Sequence, residues 1–200
     1  MSAHLYIEGA ESKEDQVRCR EAFRTVIGKL GFAAGRRMPR LTACGGRNSA
    51  FDDFKTAHAQ SKRGDYIAML VDSEDPVVDG EQTWSHLKTR DNWDKPAGAE
   101  DEQVLLMTTC METWIVADRE TLRAHYGHRL QESALPPIND LESRGRHDVQ
   151  DKLVRATRNC SNAYSKGKRS FEVVGKLEPE ALKEHMNSFR RMERVLIKRL

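Results

Sequence analysis

Tyr66-Ile67-Ala68-Met69-Leu70-Val71-Asp72-Ser73-Glu74-Asp75-Pro76 decides the fold of this chain: an unbroken apolar and aromatic run gives way at once to three carboxylates. Such a run, opened by Gly64-Asp65 and closed by Pro76, predicts a strand covered on both faces, the usual state of a parallel strand between helices. In open α/β sheets the reactive groups collect beyond the carboxyl ends of the strands, where these acids fall. Asp72 and Glu74, two positions apart on an extended chain, point to one side with roughly 6–7 Å between their Cα atoms. That spacing lets two carboxylates share one or two divalent cations. Taken alone, the segment also reads as a solvated acidic turn after a core strand.

Upstream, His4-Leu5-Tyr6-Ile7-Glu8-Gly9 predicts a short strand ending in Glu8 and a glycine turn. Ser12 can cap the helix that follows, in which Cys19, Ala22, Phe23, Val26, Ile27 and Leu30 form one apolar stripe that stops at Gly31. Met38 to Cys44 predicts a second strand, ended by Gly45-Gly46, a tight turn or a close backbone approach. Ala50, Phe51, Phe54 and Ala57 mark a second helix. The order β-α-β-α-β predicts a parallel sheet with helices packed over it.

Downstream of Pro76 a polar stretch reaches residue 102, with ten Asp/Glu against three Lys/Arg counted from Asp72. It predicts a long loop serving a site, anchored by Trp84 and Trp93, with His86 a surface histidine rather than a ligand. Val104-Leu105-Leu106-Met107 supplies a fourth strand, and a short helix follows it. Glu112 stands inside this otherwise apolar stretch, where a carboxylate costs free energy unless paired or metal-bound; a first-turn acid favoured by the helix dipole is the other reading. From residue 127 the chain predicts a mainly helical, basic extension packed on an α/β domain of residues 1–126. Within it, Lys166, Lys168 and Arg169, flanked by Tyr164 and Phe171, suit phosphate contacts with ring stacking, or a solvated turn. Leu182, Met186, Phe189, Met192, Leu196 and Leu200 mark a final helix.

Two hundred residues suffice for a core without disulfide staples, and Cys19, Cys44, Cys110 and Cys160 form no C-x-x-C pair, which argues against a zinc knuckle or redox motif. No apolar run approaches the roughly 20 residues of a membrane span, and Met1-Ser2-Ala3-His4 leads into a strand without signal-peptide architecture, so a cytoplasmic protein is expected. The formal net charge of +2 hides an asymmetry: residues 144–200 hold 15 Lys/Arg against 7 Asp/Glu, leaving 18 against 24 in the remainder. An acidic body with a basic tail suits a metal site beside a polyanion-binding surface, and also ordinary solvated helix faces.

Glu8, Asp72, Glu74 and Glu112 converge if their strands are neighbours in one parallel sheet. Several carboxylates at one edge need compensating charge, and oxygen-only ligation favours Mg²⁺ or Mn²⁺ over zinc. Such cations activate water and stabilise charge on a phosphoryl centre, so metal-dependent phosphodiester cleavage fits the residues.

The order of Ile7-Glu8-Gly9, then Leu70-Val71-Asp72-Ser73-Glu74, in alternating β and α elements resembles the TOPRIM domain, a Rossmann-like parallel sheet with a Glu after its first strand and a D-x-D after a later one. Cys110-Met111-Glu112-Thr113-Trp114-Ile115-Val116-Ala117-Asp118 further resembles a segment of RloB-like and related small bacterial TOPRIM proteins. The resemblance covers roughly residues 4–118. It implies Glu8 as a general acid/base or metal ligand and Asp72 as the first acid of D-x-D. Glu74 stands where the second Asp belongs, one methylene longer, with Asp75 beside it as a substitute ligand. Family relatives accompany ABC- or AAA-type ATPases in anti-phage defence, and some cleave nucleic acid, including tRNA. The expectation is therefore a nuclease effector acting on RNA or DNA, with Glu8, Asp72, Glu74 and Glu112 at the catalytic metal site and Lys166, Lys168 and Arg169 on the nucleic acid. Its oligomeric state is left open. The chain lacks a Walker A sequence, so an ATP-driven step would belong to a partner. A non-catalytic subunit docking on an ATPase, its acids satisfied by Arg or Lys, and a small-molecule phosphotransfer enzyme are the alternatives.

Overall fold

The computed structural model describes residues 2–9, 11–32 and 38–200, so Met1 of the expected leaderless start lies outside the described residues. Among the described residues four parallel strands form one sheet: β1 (Ala3–Ile7), β2 (Arg40–Ala43), β3 (Tyr66–Asp72) and β4 (Val104–Met107), in the order β2-β1-β3-β4. Helices flank it, and the expected α/β architecture with a helical carboxyl-terminal part is what the chain adopts. Along β3 every residue but Asp72 is buried, because both faces are covered.

Helix α1 (Lys13–Lys29) begins at Ser12, whose side chain accepts from the Asp15 N–H, and buries Cys19, Ala22, Phe23, Val26 and Ile27 on one face of the sheet. Helices α2 (Arg47–Ala59) and α3 (Thr83–Asp91) cover the other face. The chain steps from β1 to β2 over one face and to β3 over the other, as right-handed crossovers require when the direction of travel reverses. That reversal places a topological switch point between β1 and β3.

Helix α3 lies inside the stretch expected as a loop. Trp84 and Leu87 point inward, and Trp93 beyond the helix stacks on Phe51 with ring centroids 4.2 Å apart, so this polar segment is anchored as expected and holds a nine-residue helix between irregular stretches. Its first turn is capped from afar, the Trp84 N–H donating to Asp101 Oδ1 at 2.8 Å. Helix α4 (Met111–Ala117) follows β4 directly, and α5 (Arg119–Tyr126), α6 (Arg146–Thr157), α7 (Lys168–Val174), α8 (Pro179–His185) and α9 (Asn187–Arg199) complete the chain.

One apolar cluster runs from β1 and α1 through α4 to α6, α7, α8 and α9. Trp114 sits at its centre, tilted against Phe23 at 6.2 Å and edge-on to Phe189 at 4.9 Å. The segment after residue 126 thus packs on the sheet and shares its core. Among the described residues no helix is long and apolar enough to cross a membrane.

Candidate metal and phosphate site

The register sets the geometry. Ile7 is level with Leu70 and Asp72 with Met107, so Glu8 and Asp72 leave the sheet side by side at the switch point. The Glu8 N–H donates to Leu70 O at 3.0 Å, and the Asp72 N–H donates to Glu8 Oε2 at 3.1 Å. Beyond β3 the chain stays tied to the end of β4, the Ser73 N–H donating to Met107 O at 3.0 Å and the Glu74 N–H to Thr109 O at 2.8 Å. Glu74 adopts a left-handed φ of 68°, which turns its side chain back toward the strand ends.

Glu8, Asp72 and Glu74 each offer a carboxylate oxygen, all within 4.8 Å of one another. Adjacent oxygen ligands about 2.1 Å from one octahedral Mg²⁺ lie about 3.0 Å apart, so the three would draw together by up to roughly 1.8 Å, through side-chain rotation, to share one ion. Asp72 is the most strongly perturbed. Burial pushes its carboxyl well above the ordinary range, the Glu8 and Glu112 charges push the same way, and the Met111 N–H and Arg47 pull against them. Burial likewise raises Glu8 against the pull of Arg47. Two crowded carboxyls that resist ionisation together form a set that a hard divalent cation relieves.

Asp75 and Glu112 stand apart from these three. Asp75 is mostly exposed and pairs with Arg90 Nε at 2.9 Å. Glu112 is buried beneath the site, its oxygens taken by the Tyr164 hydroxyl at 2.6 Å and the Gln150 amide at 3.1 Å. Its helix contributes differently, for the Met111 N–H donates to Asp72 Oδ1 at 2.8 Å and fixes that carboxylate.

The basic cluster lies at the start of α7. Lys168 is exposed beside Glu172, Arg169 donates to Ala163 O at 2.6 Å, and Lys166 is exposed. The flanking rings are not free to stack on bases: Tyr164 is held by Glu112, and Phe171 is buried beside Gly9. The expected ring stacking fails because both aromatics complete the core. His86 is half-buried, with Nε2 2.9 Å from Ser73 O, and braces the β3–α3 turn. All four cysteines are free and buried; burial pushes Cys19 and Cys44 up to about 12, as inert thiols require.

Three arginines complete the site. Arg47, the first residue of α2, takes Asp91 in a two-point pair at 2.9 and 2.6 Å, lies over the Trp93 ring, reaches Glu8 at 3.5 Å and donates to Asp72 O. Arg90 and Arg146 both reach Glu74. Arg47 had a sequence signal, since it follows the glycines at the carboxyl end of β2. Arg90 had none while its segment read as a loop, and Arg146 arrives from a part of the chain remote from every strand.

The family model for a domain of unknown function, DUF4276, matches residues 16–197. The chain belongs to that family. In this DUF4276 chain the matched span takes in Asp72, Glu74, Arg90 and Arg146, and Glu8 precedes it. Comparison with curated proteins and with solved structures gives no significant match.

Proposed function

We propose that this DUF4276 chain is a Mg²⁺- or Mn²⁺-dependent nuclease of the TOPRIM type, an effector of bacterial anti-phage defence that works with an ATPase partner in the cytoplasm. One observation carries the metal reading: Glu8, Asp72 and Glu74 converge at the carboxyl ends of β1 and β3, beside the switch point. The polymer substrate and the defence setting come from the TOPRIM and RloB-like resemblance, which is analogy. A bound cation would activate water and neutralise charge on the phosphoryl group. Asp72, oriented by the Met111 N–H, and Glu8, bridged to the Asp72 backbone, would hold it with Glu74. Glu112 acts as a charge behind Asp72, and Lys166, Lys168 and Arg169 would contact the nucleic-acid backbone.

The test incubates the purified chain with bulk tRNA and with plasmid DNA in Mg²⁺ or Mn²⁺. Cleavage is expected in one arm, abolished by EDTA and by Asp72→Asn; a variant that cuts as well as the wild type refutes the assignment. A second reading has an observation in its favour. Glu8 faces Arg47, and Glu74 faces Arg90 and Arg146, the pairing a non-catalytic subunit docking on an ATPase would use. It predicts no divalent uptake and retention of the ATPase by Asp72→Asn.

A further inference from the structure

Glu74 offers one oxygen to two cations. Its Oε2 accepts from Arg90 Nη2 at 3.3 Å and from Arg146 Nη1, while the carboxylate itself is 8% exposed. These guanidiniums come from the end of α3 and the start of α6, and each side chain keeps a third of its surface exposed. Arg47 differs, being clamped by Asp91 and covered by Trp93. Arg90 and Arg146 are thus the arginines able to change partner. One carboxylate that takes up a divalent cation while two guanidiniums stay on it crowds three like charges together in a poorly solvated site.

We propose that Arg90 and Arg146 form a clamp for a phosphate group of a nucleic acid, released from Glu74 when a cation is taken by Glu8, Asp72 and Glu74. This rests on the metal reading above. A planar guanidinium fork matches the non-bridging oxygens of a phosphate, so a phosphate can accept the N–H groups that Glu74 gives up. Arg146 loses its acid in the exchange. Arg90 retains Asp75 at 2.9 Å, largely exposed, and Asp91 at 3.4 Å, as tethers on the rim. Cation and phosphate then bind cooperatively, and each raises the affinity of the other by the same factor.

The test uses the full chain and two readouts besides cleavage: calorimetric titration with Mn²⁺ alone, and fluorescence anisotropy of labelled phosphorothioate-linked 12-mers, one DNA and one RNA, with EDTA or Mn²⁺. In the wild type Mn²⁺ is expected to tighten oligonucleotide binding about tenfold. The Arg90→Ala/Arg146→Ala double variant is expected to bind Mn²⁺ alone several-fold more tightly, because its competitors are gone, and to lose the Mn²⁺-dependent tightening. Arg146→Lys restores part of it. If the double variant fails to melt cooperatively, Arg146→Ala alone is read in the same way. Variants that bind Mn²⁺ as the wild type does and keep the tenfold tightening overturn the clamp and leave the metal site standing. A wild type that takes up no Mn²⁺ overturns both.

Discussion

Asp72 is where opposing forces on the candidate site meet. Its backbone still belongs to β3, its Oδ1 is fixed by the Met111 N–H, and its charge faces Glu8 and Glu112. The carboxyls of Asp72 and Glu8 are both raised in the folded chain, by burial first, whereas the unfolded chain ionises them near pH 4. Between those values the folded state holds more protons. Stability is therefore full below the ordinary carboxylate range and is lost as pH rises toward the folded values, with a slope of about 1.4 kcal/mol per pH for each extra proton held. Melting curves in EDTA are expected to show that decline for the wild type and a flatter profile for Asp72→Asn; equal profiles would mean that Asp72 is not perturbed. Mn²⁺, which needs the ionised forms, should bind more tightly with rising pH. The acids Glu8, Asp72 and Glu74 were legible in the sequence because each stands at or just past the end of an apolar strand. The partners of Glu112 were not, since Gln150 and Tyr164 meet it only after the carboxyl-terminal helices have packed.

Strands and amphipathic helices were legible wherever the local pattern carried the information. The apolar stripe of α1 and its Ser12 cap match the structure, as does the continuous burial of β3. Helix α3 escaped because its cap comes from Asp101, which lies after the helix in the chain, and its buried face holds little beyond Thr83, Trp84 and Leu87. At the opposite end, α9 finishes the sheet. Arg191 donates to Val104 O and Asp101 O, each at 2.9 Å, and pairs with Glu81, satisfying carbonyls beside β4. Arg191→Leu orphans Val104 O, while Asp101 O keeps the Thr83 hydroxyl at 2.9 Å, and is expected to cost about 2 kcal/mol, read as a lower urea midpoint at unchanged slope. A loss below about 0.5 kcal/mol would show that α9 is held by its apolar face alone.

At the scale of the molecule, the acidic body and the basic carboxyl-terminal third share one core. Phe23 and Trp114 from the first part meet Val149, Leu153, Phe171 and Phe189 from the second in a single cluster. A fragment of residues 1–126 is expected to expose that face, bind a hydrophobic dye and melt without cooperativity, whereas a sharp transition would mark two separable units. The same packing brings Arg146 to Glu74, so the extension supplies part of the site as well as part of the core. Sequence order alone does not reveal such convergence, because it depends on how the carboxyl-terminal helices fold back over the strand ends. The most direct test of the central claim counts free Mn²⁺ by electron paramagnetic resonance as the protein is added. The wild type is predicted to remove Mn²⁺ from solution, and Asp72→Asn and Glu8→Gln, both folded by circular dichroism, to leave it free. Uptake by Asp72→Asn equal to that of the wild type would contradict the account.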